Sequence, residues 1–240
     1  GAAMSAGPLP SIFDAVSREA VLLAEVAWVL VAGGLLIYAG TMLLLVLAAR
    51  QRRDAPDLPA ERLHRHAGPS RLWIIGGGLV FPVVVLAGLL IYATLRTAGL
   101  ERASVAAPRV VGITARMWWW EVRYRDPRSG REFALANELH LPVGEPVQIG
   151  LSSADVIHSF WVPQLGGKMD ATPGHLTRLT VTARIPGTYR GQCAEYCGEQ
   201  HARMALHAVV RPAAEHARWL EAQALPARAA ATQTARRGQG

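Results

Sequence analysis

The sequence predicts a protein in two parts, a hairpin of two membrane-spanning helices followed by an all-β sandwich or Greek-key barrel. Three observations carry this expectation. Val26 to Ala49 and Leu72 to Leu95 are uncharged apolar runs, each long enough for the about 20 residues that span a bilayer core. From Pro108 onward the pattern changes to short runs rich in β-branched and aromatic residues, punctuated by Pro, Gly, Asp and Asn. The composition lies between the two classes: 51% of the 240 residues are hydrophobic, too apolar for an ordinary soluble domain and too polar for a chain that is membrane throughout.

The formal net charge is +7. Nucleic acid is a poor explanation, because much of the excess sits in two places. Arg50, Arg52, Arg53, Arg62, Arg65 and Arg71 fall between the apolar runs, and Arg228, Arg236 and Arg237 lie in the tail. The first group reads as a topogenic signal that keeps the loop of about 50–71 in the cytoplasm, and the second as a solvated end. Both termini and everything after Arg96 are then expected on the outer side, making this a two-pass protein of the bacterial inner membrane with a periplasmic domain. His64 and His66 in the loop read as solvated histidines, since no other ligand type is near them.

Residues 1–20 are read as a short periplasmic segment; they begin with Gly rather than Met, as a processed or trimmed start would. Residues 21–97 form the hairpin, whose second run contains the Gly76-Gly77-Gly78 triplet and Pro82, tolerated in membrane helices that pack closely. Residues 108–212 form the β domain. Its strand candidates are Val110 to Tyr124, Glu132 to Ala136, Val147 to Leu151, Val156 to Val162, Leu176 to Ala183, Gly187 to Gln192 and Ala205 to Arg211, with a turn at Asp126 to Gly130. Within 213–240, Ala213 to Ala222 suits a helix and the Ala/Arg/Gln-rich remainder suits disorder.

Both cysteines of the chain lie in one stretch, Gly191 to Met204. Cys193 and Cys197 are four apart, His201 follows after four more and Met204 after three. Thiolates, an imidazole and a thioether make a soft ligand set, which selects copper, zinc or iron–sulfur over magnesium or calcium. An iron–sulfur cluster would ordinarily take four cysteines, and a thioether favours copper over zinc. One copper needs only one Cys, so the second is surplus unless both thiolates bridge a pair of copper ions, each then taking one His and one weak ligand. His158, in Asp-Val-Ile-His-Ser-Phe-Trp, is the candidate for the second imidazole. A local disulfide and a zinc site remain open alternatives.

On these residues the chain resembles subunit II of the haem-copper (cytochrome c) oxidases, whose binuclear CuA centre lies in a cupredoxin domain. The matching segments are Ser153 to Pro163, Gly166 to Gly174 with Lys168 and Asp170, and Gly191 to Met204. The resemblance runs from the first apolar run to about Pro212.

The resemblance implies that Cys193 and Cys197 bridge two coppers, that His158 and His201 bind one each, and that Met204 is a weak ligand to one while the Glu195 carbonyl serves the other. It implies that the Glu195 side chain reaches a magnesium ion at the boundary with the catalytic subunit. Trp118, in Met117-Trp118-Trp119-Trp120-Glu121, is by position the exposed residue that receives the electron from cytochrome c; by alternation Trp118 and Trp120 face one way and Trp119 the other. The implied partners are catalytic subunit I, subunit III, cytochrome c and membrane lipid, with electrons passing to haem in the catalytic subunit for proton-translocating O2 reduction. No Cys-x-x-Cys-His occurs, so no haem is expected in this chain. Glu121, Glu138, Glu145 and Asp155 are candidates for an acidic docking patch.

Some features depart from the family pattern. Met117 replaces the usual Gln ahead of the Trp, His175 replaces the Arg of a Pro-Gly-Arg motif, and the start of the second apolar run offers Arg71 and no carboxylate for a proton channel. The copper-containing subunit of a nitric oxide reductase and a membrane-anchored copper storage or delivery protein are the rival functions.

Overall fold

The computed structural model describes residues 11–53, 72–105 and 109–224. The loop histidines His64 and His66, the topogenic arginines Arg62, Arg65 and Arg71, and the tail expected to be disordered lie outside the described residues. The chain divides into a helical unit of residues 24–101 and a β-unit made from residues up to 23 together with those from 102 on.

Two helices are long and apolar enough to cross a membrane: α1, Arg18–Arg53, and the helix through Trp73 that continues as α2, Phe81–Val105. Trp73–Val80 is wound as a π-helix, closed by the Phe81 N–H donating to the Gly76 carbonyl. The cause is local. Pro82 has no N–H and its ring crowds the carbonyl four residues back, and the glycine triplet allows the wider turn that relieves it. Within this unit Arg96 forms an ion pair with Glu25, which offsets two charges near the ends of otherwise uncharged runs.

The β-unit is a sandwich of two five-stranded sheets. Its strands are β1 Arg109–Arg116, β2 Trp119–Arg125, β3 Glu132–Ala136, β4 Glu138–Pro142, β5 Val147–Ser153, β6 His158–Trp161, β7 Met169–Ala171, β8 Thr177–Val181, β9 Gly187–Cys193 and β10 Ala205–Arg211. One sheet has the order β3-β2-β1-β5-β8 and the other β4-β10-β9-β6-β7. β1 with β5 and β4 with β10 pair in parallel; the other pairs are antiparallel. Alternate residues of β1, β2, β5 and β10 point inward, and Ile113, Trp120, Val122, Ile149, Leu151, Phe160 and Leu206 fill the space between the sheets. The fold class read from the sequence is the one found.

Two details differ from the expectation. The Val110 to Tyr124 run is two antiparallel strands joined at Met117–Trp118, a cis peptide, and β4 and β7 carry too little strand signal to have been read. The segment before the first apolar run is also built into the β-unit. Ser17 bridges to Ala183, its hydroxyl donates to the Leu165 carbonyl at 2.7 Å, and it accepts the Ala20 N–H at 2.9 Å as the N-cap of α1. Glu19 accepts from the N–H and hydroxyl of Thr182 at 2.9 and 3.1 Å. The helix therefore starts at Arg18, before the apolar run. The C-terminal helix α3, Ala213–Ala224, closes the unit, with Trp219 in ring contact with Tyr124, Phe133 and His140.

Gly191 in β9 marks how tightly neighbouring segments of one sheet pack, with Leu206 opposite it on β10 and Val162 just after β6. A Cβ there would stand 2.5 Å from Leu206 Cδ2 and 2.8 Å from Val162 Cγ2, both on buried side chains with nowhere to move. Gly191→Ala is expected to lower stability by roughly 1–3 kcal/mol through overpacking, measured as a lower midpoint in urea unfolding of the β-unit's tryptophan fluorescence.

Candidate metal centre

Strand register assembles the donors. β6 and β9 pair antiparallel with Phe160 opposite Cys193, and β9 and β10 pair with Gln192 opposite Ala205. One step further along that second ladder the Cys193 N–H donates to the Met204 carbonyl at 2.9 Å. Paired residues share a face and side chains alternate with period two, so His158, Phe160, Cys193 and Met204 all point inward and all are buried. Cys197 and His201 come from the turn between β9 and β10, where a short 3-10 turn, His201–Arg203, brings the chain back to Met204.

The sulfurs are unbonded and 3.8 Å apart. Cys193 Sγ is approached by His158 Nδ1 at 3.8 Å and by the Glu195 carbonyl at 3.1 Å, while Cys197 Sγ is approached by His201 Nδ1 at 3.6 Å and Met204 Sδ at 3.8 Å. The ligand atoms of His158, Cys193 and Cys197 lie within 4.8 Å of one another. Every donor named from the sequence is thus brought to one place. The set contains two thiols, two imidazoles, a thioether and a carbonyl, with no carboxylate oxygen. A four-coordinate zinc would use the thiols and imidazoles and leave the Met204 sulfur, 1% exposed and directed at Cys197, with no role; copper accepts all of them. Burial pushes the Cys197 thiol up to about 12, with Cys193 adding to the effect. The protein alone therefore disfavours thiolate here, and a bound cation is what would reverse that.

Around the donors is a layer that fixes them. Asp155 Oδ1 stands 2.7 Å from His158 Nε2, so the ring's other nitrogen, Nδ1, is the one turned toward sulfur. Burial alone would raise the Asp155 carboxyl; hydrogen bonds from His158 and from the Met117 and Val156 N–H groups outweigh it and hold the group below its ordinary value. Asp155 was assigned from sequence only to a docking patch. Its spacing of three before His158 was the signal for its closer role. The rest of that patch is not assembled either: Glu121 is held by Arg116 and Arg123, Glu145 by Arg109, and Glu138 faces His140.

Trp118 sits in the β1–β2 turn, half-buried rather than exposed, and its indole N–H donates to the Cys197 carbonyl at 3.1 Å. Trp120 is fully buried, edge-on to His158 at 6.1 Å, and Trp119 turns the other way under Arg116. Tyr196, 76% exposed with its ring 5.7 Å from that of His201, is a surface aromatic that residue spacing did not single out. The Glu195 side chain is half exposed and faces Lys168 Nζ at 3.9 Å, with Asp170 a further 3.8 Å from the same amine.

Residues 125–211 match the family model described as cytochrome c oxidase subunit II, periplasmic domain. The chain is 30% identical over 183 residues to cytochrome c oxidase subunit 2 of Alkalihalophilus pseudofirmus, covering 74% of this chain and 51% of that protein. It is 41% identical over 110 residues to cytochrome c oxidase subunit 2 of Thermostichus vulcanus, 46% of this chain and 32% of that one. It thus spans about half of the first relative's length and about a third of the second's. Among solved structures, the periplasmic domain of subunit II of cytochrome oxidase of Bradyrhizobium japonicum is similar, with 33% identity, a TM-score of 0.45, and coverage of 49% of this chain and 94% of that one.

Gly198 keeps Trp118 where it is. Its φ of +114° suits glycine, and a Cβ there would meet the Trp118 ring at 3.3 Å. Gly198→Val is expected to cost about 1–3 kcal/mol of stability through backbone strain and to displace the indole, read as a lower unfolding midpoint with a changed near-ultraviolet circular dichroism band.

Proposed function

We propose that this relative of cytochrome c oxidase subunit II, carrying that family's periplasmic domain over residues 125–211, is the electron-accepting subunit of a membrane terminal oxidase. In this reading it takes electrons from cytochrome c and delivers them to haem in a separate catalytic subunit. The observation that carries the reading is the donor set itself: two unbonded buried thiols in contact, each flanked by one imidazole and one weak ligand.

Cys193 and Cys197 would bridge a copper pair, with His158 and His201 as terminal ligands and Met204 and the Glu195 carbonyl as weak ones. Such a pair, when bound, supplies a one-electron relay whose charge is shared over two metals, so that little rearrangement accompanies reduction. The chain supplies ligation, orientation and docking. Asp155 fixes the His158 tautomer and, through the Met117 N–H, ties the aromatic turn to the same ligand. Both cysteines are buried away from water, with Phe160 opposite Cys193 and Trp120 edge-on to His158. Trp118, bonded to the carbonyl of a cysteine, is the residue through which an electron would arrive from outside. Around it Met117, Val156, Ile157 and Tyr196 expose apolar surface on the ligand loops and their neighbours, which suits a transient protein partner with an aromatic centre.

The remaining assignments follow the family. The arginine-rich loop of about 50–71 would lie in the cytoplasm, placing the β-unit in the periplasm of a two-pass protein. The helices would pack against catalytic subunit I, with subunit III in the same assembly. The Glu195 carboxylate, loosely faced by Lys168, offers hard oxygens to a magnesium ion at the subunit boundary.

Two measurements test this. The purified chain should bind two coppers and show an electron paramagnetic resonance spectrum split by two equivalent nuclei; one copper per chain, or zinc, overturns it. Trp118→Gln should slow reduction by cytochrome c by roughly tenfold or more, the scale of losing one aromatic anchor, with the copper spectrum unchanged. Unaltered stopped-flow kinetics would remove Trp118 from the route.

A further inference from the structure

The metal donors all come from one sheet and its loops, while the aromatic turn belongs to the other. His158 is on β6, Cys193 ends β9 and Met204 stands just before β10, strands that share the sheet β4-β10-β9-β6-β7. Trp118 lies just before β2 and Trp120 within it, in the sheet β3-β2-β1-β5-β8. The placement of these tryptophans against the donors therefore depends on what joins the two sheets at this end.

Asn137 is such a joint. It stands between β3 and β4, where the chain leaves the first sheet for the second. Among the described residues it is the one non-glycine residue with a positive φ, +58°, a conformation asparagine tolerates better than most side chains. β2 and β3 pair with Glu121 opposite Ala136, so Trp120 and Asn137 come next along the ladder. An ordinary antiparallel pair at such a place exchanges two main-chain hydrogen bonds. Here the Asn137 N–H donates to the Trp120 carbonyl at 2.8 Å, but the Trp120 N–H donates to Oδ1 of the Asn137 side chain, also at 2.8 Å. The side-chain carbonyl has taken the place of the main-chain one. The main-chain carbonyl is thereby free to accept the His207 N–H of β10 at 2.9 Å. One residue completes a ladder in the first sheet and bonds to the second.

What it holds bears on the site. Both main-chain polar groups of Trp120 are bonded to Asn137. The Trp120 ring is fully buried, edge-on to His158 with centroids 6.1 Å apart and to Phe160 at 5.7 Å. Two residues earlier, Trp118 donates its indole N–H to the Cys197 carbonyl at 3.1 Å. On the other side of the joint, His207 lies three residues beyond Met204.

We propose that Asn137 is a positioning residue that sets the aromatic turn against the metal donors. Its hydrogen bonds go to Trp120 and His207, so it acts through the backbone and not on a donor atom. The functional half of this proposal rests on the electron-accepting reading above; the placement of Trp118 does not.

The test uses the full chain in detergent, unaltered and as Asn137→Gly and Asn137→Asp. Glycine takes the same φ without steric cost and keeps the main-chain N–H and carbonyl, so it removes only the side-chain acceptor. Aspartate retains an acceptor oxygen at that place. In the metal-free chain, hydrogen exchange of the Trp118 indole N–H is followed by NMR with isotope-labelled tryptophan, the signal being assigned through Trp118→Phe. Exchange should run about fivefold faster in Asn137→Gly, the scale of one hydrogen bond weakened, and at the parent rate in Asn137→Asp. In the copper-loaded chain, reduction by cytochrome c should slow by roughly threefold or more in Asn137→Gly, because small misplacements of reacting partners are costly. Aspartate should restore that rate, and reduction by hexaammineruthenium(II), which needs no docking at Trp118, should be the same in all three chains.

The proposal is overturned if the indole exchanges equally in the parent and glycine chains, if cytochrome c reduces both equally fast, or if aspartate fails to restore parent behaviour. It is also overturned if both reductants slow together, which would place the disturbance in the donors, or if Asn137→Gly fails to fold while Asn137→Asp folds, which would make the residue part of the framework alone. A parent chain that cytochrome c does not reduce sinks the electron-accepting reading instead, and the exchange rates still decide whether Asn137 places Trp118.

Discussion

Two thiols held in contact without bonding to each other are the constraint around which this β-unit is built. At 3.8 Å the Cys193 and Cys197 sulfurs are close enough to act on the same metal site, and in an oxidising compartment thiols so near one another would readily join. What keeps them as separate donors is that each is fixed by its own chain segment. Cys193 is the last residue of β9, locked by the Met204 carbonyl, and Cys197 is held in the following turn, where its own carbonyl is tied to Trp118. The sulfur positions are thus properties of the backbone, and backbone in a sandwich is the part least free to move.

The same register explains why donors 46 residues apart in the chain, His158 and Met204, meet. β9 lies between β6 and β10, so a single central strand sets the position of both neighbours relative to Cys193. A slip of one residue on either side would turn His158 or Met204 to the other face and replace a donor with Ser159 or Ala205. Gly191, two residues before Cys193 on the same face, is where Leu206 of β10 and Val162 after β6 close in from either side. That close fit opposes such a slip, which would drive a side chain into Leu206 and Val162.

The local part of this was readable from the residues. Cys193, Cys197, His201 and Met204 sit in one loop, and spacing alone brings them together; His158 needed the resemblance as well, because nothing in its own segment says which strand it will pair with. The β1–β2 turn was not readable. Met117-Trp118-Trp119-Trp120 carries strand-forming residues throughout and none of the Gly, Pro or Asn that mark a turn, and the chain reverses there because distant groups, Asp155 and the Cys197 carbonyl, hold Met117 and Trp118. Asp155 was misjudged for a related reason. A carboxylate on a loop looks like surface charge until the histidine beside it is seen to need an acceptor. β7 has three residues and β4 ends in proline, so their pairing comes from the sheets rather than from their own preference.

The pairing of the acidic residues bears on how a partner would be recognised. Glu121 is only 13% exposed and lies between two arginines, and Glu145 and Asp155 are likewise committed to neighbours within the chain. Such charges contribute little field at a distance, since the arginines beside Glu121 and Glu145 cancel most of theirs and salt screens the rest. The ligand loops and their neighbours present Tyr196, Ile157, Met117 and Val156 alongside the exposed charges of Glu195, Glu199 and Arg203. Apolar contacts of this kind act only at close range, so they hold a partner once it has arrived, and any steering of its approach is left to the exposed charges around them.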